Sequence, residues 1–253
     1  QVCRAYPSGG GAYVVARENI SHLAGLVAAA ALLIDYVMTV AVSTASAVAQ
    51  VYSVVPELYD IRIEIALGAI ALITIANLRG LREAGLFFAS PTYVFVGMTV
   101  LMIGLGIARI VAGQGPVTVP PAERLVPLGS QTLGIILILR AFAAGSVALT
   151  GVEAIANGVP AFKPPEAKNA ANTMLTMAIL LGVLFIGITI VADAFGIRPT
   201  EKGGPTVVAM VAAAVFGDGT IPFVIFQAAT ALILFLAVNT SFNAFPRLAA
   251  ILA

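Results

Sequence analysis

Six stretches of this chain are apolar for long enough to cross a lipid bilayer: residues 24–50, 61–78, 87–108, 133–159, 173–195 and 221–245. A spanning helix needs about 20 mostly apolar residues, because the hydrocarbon core is roughly 30 Å thick and each helical residue rises about 1.5 Å. The second stretch is the shortest and carries Arg62 and Glu64 at its start, within reach of the interface. A seventh apolar run, 206–216, is too short to span and fits a re-entrant or surface helix. Composition agrees: 60% of residues are hydrophobic and 10% charged, against about 45–50% and about 25% in an ordinary soluble domain. So few charges do not cover a water-facing surface. The expected fold class is an all-α membrane protein of about six transmembrane helices.

The connections carry helix-breaking residues. Pro7 with Gly9, Gly10 and Gly11 precedes the first stretch, and Pro56 separates the first two. Asn77, Gly80 and Gly85 separate the second and third, and a long loop over 113–129 holds Pro116, Pro120, Pro121 and Pro127. No soluble domain is visible between the stretches, so the expectation is one transmembrane domain. The chain starts at Gln1 and stops at Ala253 inside an apolar run, so both ends read as cuts in a longer protein. With the start at the cytoplasm, that side holds Arg4, Arg17, Arg79, Arg82, Lys163, Lys168 and Arg247. The other side holds Arg62, Arg109, Arg124, Arg198 and Lys202. Seven against five favours a cytoplasmic start under the positive-inside rule.

Several functions are disfavoured. A net charge of +1 gives no sign of nucleic-acid binding, and Cys3 is the one cysteine, so no disulfide forms within the chain. Cys3 and His22 are too few ligands for a zinc site. No P-loop, metalloprotease motif, nucleophile elbow or redox-cofactor motif occurs, so neither an enzyme nor an organic cofactor is expected.

The informative residues are the polar ones at depth, since an ionisable group at mid-bilayer costs about 2.5–3.5 kcal/mol on insertion scales. Asp35 lies eleven residues into the first stretch, roughly 16 Å from the membrane face and near the midplane. Thr39 and Ser43 follow at i+4 and i+8 on the same helix face, with Tyr36 beside it. A carboxylate, two hydroxyls and a phenol suit a hard cation or a proton. The competing reading makes Thr39 and Ser43 backbone-bonded packing residues and Asp35 the partner of a structural ion pair with Arg140. In the fourth stretch Gly145, Gly151 and Gly158 make the helix easy to open, and broken helices hold ions and substrates in transporters. Thr150 and Glu153 share a face there. Glu153 reads either as a proton carrier or ion ligand, or as an acceptor of backbone N–H groups in the opened helix. Arg140, about 20 Å before it along a continuous helix, reads as an interfacial anchor or a gate residue. In the sixth stretch Asn239, Thr240 and Ser241 either line a cavity or cap the helix end.

Three ordered motifs carry a family resemblance over essentially the whole chain. Ala5-Tyr6-Pro7-Ser8-Gly9-Gly10-Gly11-Ala12-Tyr13, followed by Arg17-Glu18-Asn19, resembles the loop after the second helix of the amino acid–polyamine–organocation (APC) superfamily. Thr150-Gly151-Val152-Glu153-Ala154-Ile155 resembles the unwound part of its sixth helix, and Asn239-Thr240-Ser241-Phe242-Asn243-Ala244-Phe245-Pro246-Arg247-Leu248 the end of its eighth. The resemblance implies the LeuT fold of two inverted repeats, with this chain holding the third to eighth helices. Within the superfamily the chain is most similar to the KimA-type potassium importers, in 149–160 and in Ile34-Asp35-Tyr36-Val37-Met38-Thr39-Val40-Ala41-Val42-Ser43. By position, the likeness implies that Asp35, Tyr36, Thr39, Ser43, Thr150 and Glu153 contribute to potassium sites or proton coupling, with Gly151 beside them. It also implies a cytoplasmic start and a homodimer.

The expected function is therefore proton-coupled potassium uptake across a cell membrane, with potassium and a proton as the moving species. Amino acid transport on the same fold is the alternative. The oxygen-lined stripe of Asp35, Thr39 and Ser43 discriminates, because a zwitterion held by helix ends does not require it. A non-transporting membrane scaffold is the third reading, and two buried carboxylates argue against it.

Overall fold

The computed structural model describes residues 2–6, 9, 11–79, 85–119, 134–146, 155–156, 158–200 and 204–252. The helices, in order, are α1 (Val2–Ala5), α2 (Gly11–Asn19), α3 (His22–Val54), α4 (Arg62–Leu78), α5 (Gly85–Val111), α6 (Ile135–Ser146), α7 (Glu166–Ala194), α8 (Val207–Phe216) and α9 (Ile221–Leu252). Short 3-10 turns stand at Pro56–Tyr59 and Val159–Ala161. Four helical segments are long and apolar enough to cross a membrane: His22–Val54, Ala89–Val111, Glu166–Ala194 and Ile221–Pro246. The 17 residues of α4 make a helix of about 26 Å, slightly under the hydrocarbon thickness. The fourth apolar stretch of the sequence is represented by α6, and 147–154 lie outside the described residues.

Helices run past the ends that hydropathy marks, furthest at the start of α7 and the end of α9. The polar turn Glu166–Asn172 precedes the apolar part of α7, and its acidic first residue suits a helix N-terminus. Helix α9 continues through Pro246 to Leu252. A membrane helix absorbs one proline because local adjustment and neighbouring groups take up the freed carbonyl.

By its contacts the chain divides into two compact units, one of Gln1–Asp35, Pro127–Gly182 and Leu248–Ala253, the other of Tyr36–Val126 and Val183–Arg247. In the first, Cys3, Val159 and Ala170 form a small buried cluster flanked by Ile155, Phe162 and Met174. Helix α3 starts where the Ser21 hydroxyl accepts from the Ala24 N–H at 3.1 Å, an N-cap bond. Gly25 lets α2 approach closely, since a Cβ there would lie 2.8 Å from the Arg17 Cβ.

The second unit is built around α8. Met210, Val211, Ala212, Ala214 and Val215 pack with Met102, Val191, Ile197, Phe223 and Phe226. The Phe226 ring stacks on Phe95 at 6.2 Å and tilts against Phe216 at 6.3 Å. Lipid is as apolar as leucine, so membrane helices associate by close packing and hydrogen bonds, which favours small residues at contacts. Gly106 and Gly187 serve this purpose. A Cβ on Gly106 would lie 2.8 Å from both Val191 methyls, and one on Gly187 would lie 2.7 Å from the Ile103 Cδ1. The 113–119 segment is fixed to the end of α8 by Val117 N–H donating to Ala214 O at 2.7 Å and Asp218 N–H donating to Thr118 Oγ1 at 3.2 Å. Gly217 ends α8 at φ 91°, a conformation that suits a residue without Cβ.

Candidate functional site

Helix α3 carries most of the described candidate site. Its Ala-, Val- and Leu-rich sequence keeps it helical over 33 residues, and Asp35 stands thirteen residues from its start. Asp35, Thr39 and Ser43 are each half-buried, and Tyr36 beside them is 6% exposed. The three side chains follow one another along one helix face, at about 6 Å per step.

The ion-pair and backbone-bonding alternatives are not present among the described residues. No ion pair or hydrogen bond joins Asp35 to a described residue, and Arg140 sits on α6 with its side chain exposed. The Asp35–Arg140 pair is therefore absent among the described residues. Helical hydroxyls here commonly donate to the carbonyl four residues back, as Thr44 does to Val40 O at 2.7 Å, Thr74 to Ile70 O at 2.7 Å and Thr99 to Phe95 O at 2.6 Å. Thr39 and Ser43 make no such bond to any described residue. Their oxygens and the Asp35 carboxylate thus have no partner among the described residues.

Thr150, Gly151 and Glu153 lie outside the described residues. At the far end of α9 the polar residues are engaged with protein. Thr240 donates to Leu236 O at 3.0 Å, and Ser241, 5% exposed, to Ala237 O at 3.3 Å. Asn239 Oδ1 accepts from Asn77 Nδ2 at 2.7 Å, while that same amide also donates to Ile73 O at 2.8 Å. The helix runs on to Leu252, so 239–241 do not cap its end; Thr240 and Ser241 bond to its backbone and Asn239 to a neighbouring helix. Asn77, which by sequence reads as a break between helices, lies in the last turn of α4 and joins it to α9.

Two features escaped the sequence reading. The polar face of α3 does not stop at Ser43. Ser46, Gln50 and Ser53 continue it, and at 100° per residue all six positions from 35 to 53 fall within an arc of about 80°. The signal was present as a continued i+3/i+4 spacing. In α9, Gln227 is 1% exposed, and neither its amide nitrogen nor its oxygen has a partner among the described residues. No group of three His, Cys, Asp or Glu side chains gathers among the described residues. The donor set on α3 is thus one carboxylate with neutral oxygens, which fits a weakly held monovalent cation better than a transition metal.

Comparison with known proteins follows the same line. The family model described as amino acid permease matches residues 2–253. The chain is 44% identical over 251 residues to a protein of Bacillus subtilis (strain 168) described as potassium transporter KimA. That alignment takes in 98% of this chain and 40% of the relative, so the chain spans about two-fifths of the relative's length.

Proposed function

The chain belongs to the amino acid permease family of membrane transporters, and from that membership we propose that the full-length protein carrying it imports potassium together with protons. The observation that carries this reading is the Asp35 carboxylate at mid-helix, unpaired with any described residue and followed by two hydroxyls not bonded to the backbone. The relative's own description as a potassium transporter supports it. In this reading a dehydrating potassium ion meets Asp35, Thr39 and Ser43 on α3, and Tyr36 and Thr150 contribute to its binding. Glu153 carries the coupled proton. A charge moving down 100 mV gains about 2.3 kcal/mol, so inward proton movement helps drive accumulation of the ion. The chain starts at the cytoplasmic face, and the working unit is a homodimer.

The second reading, amino acid uptake, has one observation in its favour: the description of the matching family. The two separate in one experiment. The full-length protein is expressed in cells lacking potassium uptake, and growth at low potassium is followed beside uptake of labelled amino acids. Restored growth without amino acid accumulation supports potassium import. Amino acid accumulation without restored growth overturns it.

A further inference from the structure

The polar face of α3 continues well beyond the residues placed at the cation site. Ser46 is half-buried and, like Thr39 and Ser43, makes no hydrogen bond to a described residue. This holds although Thr44 and Ser53 on the same helix each donate to the carbonyl four residues back at 2.7 Å. Gln50, one turn further, is 5% exposed, and its Oε1 accepts from Thr206 Oγ1 at 3.2 Å. Thr206 Oγ1 is also the N-cap acceptor for Ala209 N–H at 3.1 Å, and Thr206 N–H donates to Ser53 Oγ at 3.3 Å. With its oxygen accepting from Ala209, the Thr206 hydroxyl has its hydrogen free for Gln50. This bond places the carbonyl end of the Gln50 amide. All of these residues belong to one compact unit.

A half-buried hydroxyl with no partner among the described residues, in line with a buried amide on a membrane helix, is retained at a cost unless it meets water or a ligand. We infer that Ser46 and Gln50 form a second cation station on α3. It takes a partly hydrated monovalent cation between the Thr206 end of the helix and Ser43, and Thr206 acts as a positioning residue for Gln50. Ser43 and Gln50 are seven residues apart, about 10 Å along the axis, a single step for an ion passing between oxygen ligands. The station holds neutral oxygens only. This suits a site of passage, because conduction needs binding weak enough to release the ion. The inference rests on the potassium reading above and adds to it the route by which the ion reaches Asp35.

The test uses the full-length protein with rubidium as tracer and potassium as competitor. Ser46→Ala and Gln50→Leu are each expected to raise the half-saturating potassium concentration roughly three- to tenfold, the range for losing one neutral polar contact, while the maximal rate changes little. Thr206→Val is expected to shift it in the same direction. Independently, Ser46→Cys in a background cleared of native cysteines, Cys3 included, is treated with a small thiol reagent, and potassium is expected to slow its modification severalfold. Unchanged half-saturation in both Ser46→Ala and Gln50→Leu, or modification indifferent to potassium, overturns the station. If Asp35→Asn still abolishes uptake in that assay, the potassium reading stands and only the station falls. If the unaltered protein moves no rubidium, the potassium reading itself fails.

Discussion

The burden on Asp35 is physical before it is functional. A carboxylate midway along an apolar helix costs about 2.5–3.5 kcal/mol to insert, and no cation among the described residues offsets that cost. In the proposed reading, a bound cation offsets that cost. Asp35→Asn keeps the shape and removes the charge, and it is expected to reduce potassium-dependent growth rescue to the level of cells without the protein. The hydroxyls on α3 give a sharper test, because two threonines five residues apart differ in their bonds. Thr39 makes no hydrogen bond to a described residue, whereas Thr44 is 1% exposed and donates to its own backbone. Thr39→Val is expected to raise half-saturation about tenfold, near 1.4 kcal/mol. Thr44→Val should leave it within about twofold, since it removes only a local backbone bond. Equal effects at the two positions would argue that neither hydroxyl meets the ion.

At the scale of the helices, close approach replaces the hydrophobic drive. Gly187 faces Ile103 and Gly106 faces Val191, with room for a hydrogen but not for a methyl. Gly187→Ala is expected to lower the thermal midpoint of the purified protein, at an overpacking cost of about 1–3 kcal/mol. Ile103→Ala added to it should recover part of the loss. Gly104→Ala, which meets no atom within 4 Å, serves as the neutral control. The Asn77–Asn239 bond joins α4 to α9 across 162 residues of sequence. A double-mutant cycle of Asn77→Ala and Asn239→Ala should show a coupling of about 0.5–2 kcal/mol in thermal stability, the range for a hydrogen bond between membrane helices. Additive losses would mean that the bond contributes nothing to holding α4. Legibility divides along the same line. Asp35, Thr39 and Ser43 could be read because a charge in an apolar run is conspicuous and i, i+4, i+8 spacing sets a helix face. Ser46, Gln50 and Ser53 follow the same spacing but are individually ordinary near a helix end. Asn77 could not be read at all, since its partner is fixed by packing and not by local sequence. The engagement of 239–241 with the backbone and with Asn77 was undecidable for the same reason.

For the molecule as a whole, hydropathy alone marks the stretches that fold as α3, α4, α5, α7 and α9, because lipid demands long apolar helices whatever their packing. It does not mark where those helices stop, since Pro246 and the polar turn before 173 are helical in fact. The family followed from motifs spread along the chain, and the match over residues 2–253 and the 44% identity agree with it. Family membership brings the LeuT fold, while the proposed potassium transport rests on the chemistry of α3. Flux into proteoliposomes tests that most directly. Full-length protein, unaltered or carrying Asp35→Asn, is reconstituted, and potassium accumulation is followed with and without an inward proton gradient and with excess amino acids outside. The account predicts accumulation that the proton gradient stimulates, that amino acids leave unchanged and that Asp35→Asn abolishes. Accumulation of an amino acid in place of potassium, or full potassium flux through Asp35→Asn, would contradict it.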